Sequence, residues 1–121
     1  METTRKNIIS SLKRIAIPTR DAVLSFAPEQ IIRLEALSNY TYIHFTDRKP
    51  LLMAKVLREY ELLLKPFGFI RTHRSHLVNQ QYIRQYDFNG TILMSDKSHA
   101  EVSRRKKREV YQSLTHQPEA A

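Results

Sequence analysis

The stretch FIRTHRSHLVN, residues 69–79, carries the pattern from which the rest of the fold can be worked out. Apolar residues at positions 69–70 and 77–78 flank a polar stretch, residues 72–76, that contains two histidines and an arginine. Short apolar runs on both sides of polar residues are typical of two strands joined by a loop. The polar residues are therefore expected at the surface, where Arg74 and its neighbours would be free to bind a partner.

Strand patterns continue on both sides of this stretch. Eight further segments show alternation or an aromatic and β-branched composition: residues 14–17, 22–26, 31–36, 40–45, 51–54, 82–86, 91–94 and 99–102. Between two of them lies Asn89-Gly90, the strongest hairpin signal in the chain. Because the chain has only two glycines, we expect its asparagines and aspartates to adopt left-handed backbone conformations in the turns.

Two helices are predicted among these strands. Residues 55–64 have apolar side chains at helical spacing, and Pro66 and Gly68 end the segment. Ser103 is a plausible N-cap for a second helix over residues 104–114. We therefore predict one mainly β domain over residues 13–114, with residues 1–12 as a flexible extension or linker and residues 115–121 as a flexible tail.

Composition excludes several classes of protein. The 121 residues contain no cysteine, which rules out disulfide scaffolds, thiolate metal sites and cysteine nucleophiles. Two isolated glycines cannot form a phosphate-binding glycine-rich loop. The pair His73 and His76 has no carboxylate nearby in sequence to complete a metal site, and no serine lies in a nucleophile elbow. No enzymatic activity, cofactor, metal or small-molecule substrate is expected.

The positive charge is unevenly distributed. The net charge is +8, and residues 71–108 contain nine lysines and arginines against three acidic residues, a net of +6. The densest run, residues 104–108, reads RRKKR. Taken alone, such a run fits a solvated helix face equally well. With the basic residues of the other loop-like stretches, it favours an anionic partner.

Several polar residues have the chemistry of nucleic-acid contacts. Arg74 could hold guanine bidentately or bind a phosphate, and Asn39 could pair with adenine. Ser75 and Ser103 are short donors suited to phosphate oxygens. Other residues have equally good structural explanations, because Arg71 fits a strand-edge ion pair and Asn79 fits a turn cap.

Three blocks, taken in order, resemble the LytTR (LytR/AlgR-type) DNA-binding domain. They are LEALSNYTYIH at residues 34–44, FIRTHRSHLVN at residues 69–79 and VSRR at residues 102–105. The central block is the specific one, and the resemblance runs from about residue 13 to residue 114. His76 departs from the usual tyrosine or phenylalanine, and Lys106 stands where an aromatic residue is common.

The resemblance implies an elongated, mainly β fold of small antiparallel sheets with a mid-chain helix and a C-terminal helix. It also implies that loops enter successive major grooves of bacterial promoter DNA. The DNA-binding residues would be Asn39, Tyr40, His73, Arg74, Ser75, Ser103, Arg104, Arg105 and Lys106.

We therefore predict sequence-specific binding of double-stranded DNA for transcription regulation, in the bacterial cytoplasm. The protein would be the output domain of a two-component response regulator or a stand-alone regulator, and self-association on repeated sites stays open. The alternative is an RNA-binding module, because Tyr40 and Tyr42 could stack unpaired bases. A basic protein-interaction or membrane-surface module is a third option, weakened by the small apolar face of the last helix.

Overall fold

The computed structural model describes residues 13–116, which form ten strands and two helices. The strands are β1 Ile15–Pro18, β2 Val23–Phe26, β3 Ile31–Leu37, β4 Tyr40–Phe45, β5 Leu51–Met53, β6 Phe69–His73, β7 His76–Asn79, β8 Ile83–Asp87, β9 Thr91–Met94 and β10 His99–Glu101. The helices are α1 Leu57–Leu64 and α2 Lys107–Thr115. The predicted extension, residues 1–12, and most of the predicted tail, residues 117–121, lie outside the described residues.

The strands form three small antiparallel sheets. Strands β1 and β2 make a two-stranded sheet, β5-β4-β3-β7-β6 make a five-stranded sheet, and β10-β9-β8 make a three-stranded sheet. In the five-stranded sheet, β6 follows α1 and forms a hairpin with β7, and β7 pairs with β3, so that Leu34 lies opposite Leu77 and Glu35 opposite His76. The predicted mainly β fold of small antiparallel sheets with two helices is therefore confirmed.

Two hydrophobic clusters cover the two faces of the central sheet. Leu77 belongs to the cluster that contains the buried side of α1, whereas its neighbour Val78 belongs to the cluster beneath α2. Successive strand residues point to opposite faces, so burial of both requires packing on each side. This explains why the apolar run in β7 is continuous instead of alternating. Neither helix in residues 13–116 has the length and apolar character needed to span a bilayer.

The turns are built differently from the sequence expectation. The left-handed positions outside glycine are Ser38, with φ of 60°, and Lys97, with φ of 71°. The expectation that asparagine and aspartate would take this conformation was wrong for the described residues. Asp87 and Asp96 instead accept hydrogen bonds from backbone N–H groups two residues ahead, at 2.9 and 3.0 Å. Their side chains satisfy the turn backbone without a strained φ.

Candidate nucleic-acid interface

The turn between β6 and β7 presents Arg74 to solvent. Arg74 is exposed, while His73 and Ser75 on either side are partly buried. The Nδ1 atom of His73 accepts a hydrogen bond from the backbone N–H of Ser75 at 3.0 Å, and its Nε2 atom lies 3.7 Å from a carboxylate oxygen of Glu101. His73 therefore braces the turn from within, and Arg74 is the residue that projects from it.

A second arginine holds this turn in place. The guanidinium of Arg71 donates to the carbonyl oxygens of His73 and Arg74, at 2.8 and 2.7 Å, and its Nη1 atom lies 2.8 Å from Glu61 Oε1 on α1. The sequence alone left an ion pair at Arg71 as one alternative, but nothing local indicated the bonds to the two carbonyls. Arg71 thus connects the helix, the strand and the exposed turn.

The turn that carries Asn39 and Tyr40 lies at the same end of the central sheet. Asn39 is exposed in the β3–β4 turn, and Tyr40, the first residue of β4, is half-exposed. Three residues before Asn39, the backbone N–H of Ala36 donates to the carbonyl of Ser75 at 2.9 Å. The pairing of β3 with β7 therefore brings together two turns that are about 35 residues apart in sequence.

The basic segment 103–106 is attached to the other side of β6. The backbone N–H of Ser103 donates to the carbonyl of Thr72 at 2.8 Å, and the buried hydroxyl of Thr72 donates to the carbonyl of Glu101 at 2.9 Å. Thr72 directly precedes His73, so this segment begins beside the Arg74 turn. All three predicted segments are therefore held at one end of the sheet by backbone hydrogen bonds.

The predicted helix start at Ser103 needs correction. Residues Arg104–Lys106 form a 3₁₀ turn, the α-helix α2 begins only at Lys107, and the Ser103 hydroxyl makes no capping bond. Ser103 has the extended backbone of an N-cap residue: its N–H donates to Thr72, and its carbonyl accepts from the N–H of Lys106 at 2.9 Å. The hydroxyl of Ser103 is thereby left for another partner.

The basic side chains at this end fall into two groups. Within residues 13–116, no carboxylate lies within ion-pair distance of the exposed Arg74, Arg104 and Arg105. Lys106 lies 3.3 Å from Glu109, and Arg71 is paired with Glu61. The unpaired guanidiniums carry charge that nothing in the described chain neutralises, which suits them to an anionic partner.

A cluster of polar side chains near the turns has shifted pKa values. Glu35 Oε1 lies 3.2 Å from His44 Nε2 and 3.4 Å from Arg33 Nη1. Burial raises the pKa of Glu35, but Arg33 and His44 outweigh it, so that this pKa lies below its usual value. Burial also lowers the pKa values of His44 and His76. The interior of this end therefore favours neutral histidines, and the exposed arginines supply its positive charge.

The fold and this surface define a class of protein: small antiparallel sheets that present turns and unpaired arginines at one end. The model of the LytTr DNA-binding domain family matches residues 21–115. The chain belongs to this family. Among solved structures, it is similar to the LytTr DNA-binding domain of a response regulator from Bacillus cereus, with 26% sequence identity and a TM-score of 0.69. That likeness covers 86% of this chain and 98% of the other. No curated protein shows a significant match.

Proposed function

We propose that this domain regulates transcription by binding a specific sequence of double-stranded DNA through three segments. The proposed contact residues are Asn39, Tyr40, His73, Arg74, Ser75, Ser103, Arg104, Arg105 and Lys106. The observation that carries the proposal is the pair of backbone hydrogen bonds, Ala36 to Ser75 and Ser103 to Thr72, that holds these segments at one end of the sheet. Family membership supports DNA as the partner, and this geometry supports the choice of these residues.

The chemistry of the three segments suits two of them to base contacts and the third to phosphate contacts. Arg74 projects from a turn whose backbone is held by Arg71, so its guanidinium is suited to bidentate contact with guanine in a major groove. Asn39, exposed in the neighbouring turn, offers an amide suited to adenine. Arg104, Arg105 and Lys106 form a cationic 3₁₀ turn suited to phosphates, which position a protein without reading sequence.

We further propose that the domain acts in the bacterial cytoplasm, without cofactor or catalysis, as the output of a two-component system or as a stand-alone regulator. Residues 13–114 are the proposed DNA-binding unit. The buried Ile15 and Ile17 of β1 support the start of this unit, because they belong to the main hydrophobic cluster. Whether a second copy binds at a repeated site is measured by the selection from random duplex DNA described next.

The test begins with a selection from random duplex DNA, followed by titration of the selected site at two salt concentrations. Arg74→Ala is expected to cost about 1–3 kcal/mol on the selected site and to flatten the preference between sequences. Lys106→Ala is expected to weaken all duplexes similarly and to reduce the salt slope by about one counterion. Lys49→Ala is the control, because Lys49 lies in the β4–β5 turn at the opposite end of the sheet.

Two results would contradict the proposal. If Arg74→Ala weakens every duplex equally, Arg74 binds phosphate and does not read bases. If single-stranded DNA or RNA binds as tightly as the selected duplex at both salt concentrations, the RNA-binding alternative is favoured instead. Exposed Tyr40 would then be the residue to substitute, because an aromatic ring stacks on unpaired bases.

A further inference from the structure

A groove lies between strand β8 and helix α2, outside the proposed DNA-binding segments. It consists of two adjoining depressions of about 390 and 300 Å³ that share the side chains of Tyr86, Phe88 and Tyr111. Phe88 is 84% exposed and Tyr111 is 50% exposed. Large aromatic side chains beside a concave surface are enriched at protein interfaces and often dominate their binding energy.

One wall of the groove is an open strand edge. Strand β8 forms the end of the three-stranded sheet, with β9 as its one strand neighbour in the described chain. Four consecutive residues of β8, Ile83–Tyr86, line the larger depression. The register of β8 against β9 shifts between Ile83 and Gln85, so the side chains of this part of the strand do not alternate strictly, and all four residues reach the depression. Backbone groups on that edge can pair with an added strand.

The positive charge of the groove indicates the kind of ligand that it binds. Among the residues that the structure describes, its charged lining residues are all cations: Arg84 in the larger depression, and Lys107 and Arg108 in the smaller one. None of the three has an ion-pair partner within residues 13–116. Two acidic residues are adjacent in sequence to lining residues. Asp87 uses a carboxylate oxygen to accept from the backbone N–H groups of Asn89 and Thr91, and Glu109 lies 3.3 Å from Lys106. The groove therefore complements an acidic ligand.

We propose that this groove binds an extended acidic segment of a partner protein. The segment adds to β8 as a further strand, places an apolar side chain against Phe88 and Tyr111, and sets its carboxylates against Arg84, Lys107 and Arg108. Helix α2 has nine residues, about 13 Å at 1.5 Å per residue, so roughly four residues of extended chain span the groove.

Two other occupants fit less well. A second copy of this chain, placed symmetrically, would bring the cations of one groove against the same cations of the other. A DNA duplex has no peptide backbone to pair with the open edge of β8. The proposal does not depend on which residues of the protein recognise the DNA sequence.

The test uses a fluorescein-labelled peptide of seven residues in which aspartate alternates with valine and phenylalanine. The matched control peptide has lysine in place of each aspartate. We expect the acidic peptide to bind the full chain with a Kd of about 1–100 μM, as measured by fluorescence anisotropy. In ¹⁵N NMR spectra, it should shift the resonances of β8 and α2 and slow hydrogen exchange at the amides of β8 that do not face β9.

Paired variants locate the binding site. Phe88→Ala and Arg84→Glu should each weaken peptide binding about tenfold or more. Leu62→Ala and Arg58→Glu should change it less than twofold, because both residues are exposed on α1, away from the groove. Affinity for the selected DNA duplex should stay unchanged in Phe88→Ala, which separates this site from the DNA-binding segments.

Four outcomes would overturn the proposal. The first two are absence of binding at 1 mM peptide, about a hundred-fold above the middle of the expected range, and equal binding of the lysine peptide. The other two are NMR resonance shifts confined to the DNA-binding segments and a Phe88→Ala variant that binds duplex DNA more weakly. A dimer in analytical ultracentrifugation that Phe88→Ala dissociates would also overturn it, because the groove would then be an interface between copies of the chain.

Discussion

Arg71 provides a test of how the fold presents the proposed reading residue, because it supports the Arg74 turn without projecting from it. Substitution with methionine removes three contacts at once: the ion pair with Glu61 and the two bonds to turn carbonyls. Charge-assisted hydrogen bonds contribute about 1.5–3 kcal/mol each when buried. The Arg71 and Glu61 side chains are 18% and 28% exposed, and the freed carbonyls regain water, so we expect a total loss of about 2–4 kcal/mol.

Urea denaturation measures the loss directly. Arg71→Lys should lose less, about 1–2 kcal/mol, because an ammonium keeps the attraction to Glu61 but cannot reach both carbonyls as a planar fork does. Arg58→Met is the control, because Arg58 is exposed on the same helix as Glu61 and makes no ion pair within residues 13–116.

DNA binding should respond as well, under conditions where each variant is folded. With the turn released, Arg74 must be ordered on binding, at a cost of about 1 kcal/mol, or roughly a fivefold loss of affinity. An Arg71→Met variant with wild-type stability would show that the three contacts contribute nothing net. A destabilised variant with wild-type DNA affinity would show that the turn holds its shape without them.

Three further predictions concern other parts of the fold. Thr72→Val should lower the free energy of unfolding by about 1–2 kcal/mol, because it removes the hydroxyl's buried bond to the β10 strand; an unchanged denaturation midpoint would contradict this. Gly90→Ala should lower the melting temperature more than Gly68→Ala, although both have positive φ, because only at Gly90 does the new Cβ meet other described atoms: the flexible end of Lys107 at 2.9 Å and the backbone carbonyl oxygen of Val102 at 3.3 Å; equal shifts would refute it. Burial lowers the pKa of the partly buried His76, so the unfolded chain takes up a proton first. His76 should therefore contribute a fall in stability as the pH drops below about 6.5, by at most about 1.4 kcal/mol per pH unit, with His44 adding its own; His76→Phe should remove the share of His76, and an unchanged pH dependence would contradict this.

Local signals in the sequence predicted the elements well where neighbouring residues determine the backbone. The Asn89-Gly90 hairpin forms as predicted, with Gly90 at φ of 95°, because a positive φ is a local demand that glycine meets. The mid-chain helix ends near Pro66 and Gly68 for the same kind of reason. Asn79 also proves structural, since its side chain caps a turn and donates to the carbonyl of Ile31 at 2.9 Å.

Local signals were less accurate at the start of the last helix and in two of the turns. Ser103 precedes a helical segment with the extended backbone of an N-cap, but its hydroxyl makes no capping bond, the first turn is a 3₁₀ turn, and the α-helix starts four residues later. The turn conformations at Ser38 and Lys97 were missed because strand pairing on both sides fixes these turns whatever residue occupies them.

By itself, the sequence determined the class of the protein and its candidate residues, since the Arg-x-x-Arg-Ser block, the charge of residues 71–108 and the turn signals all lie in contiguous stretches. Only the tertiary structure decided that the three segments share one end of the sheet. That proximity depends on β3 pairing with β7 and on Thr72 bonding to Ser103, contacts between residues about 30 or more positions apart. The same long-range packing distinguishes the two arginines. It places Glu61 of α1 against Arg71, which supports the turn, and it leaves Arg74 exposed to solvent and unpaired within the described residues.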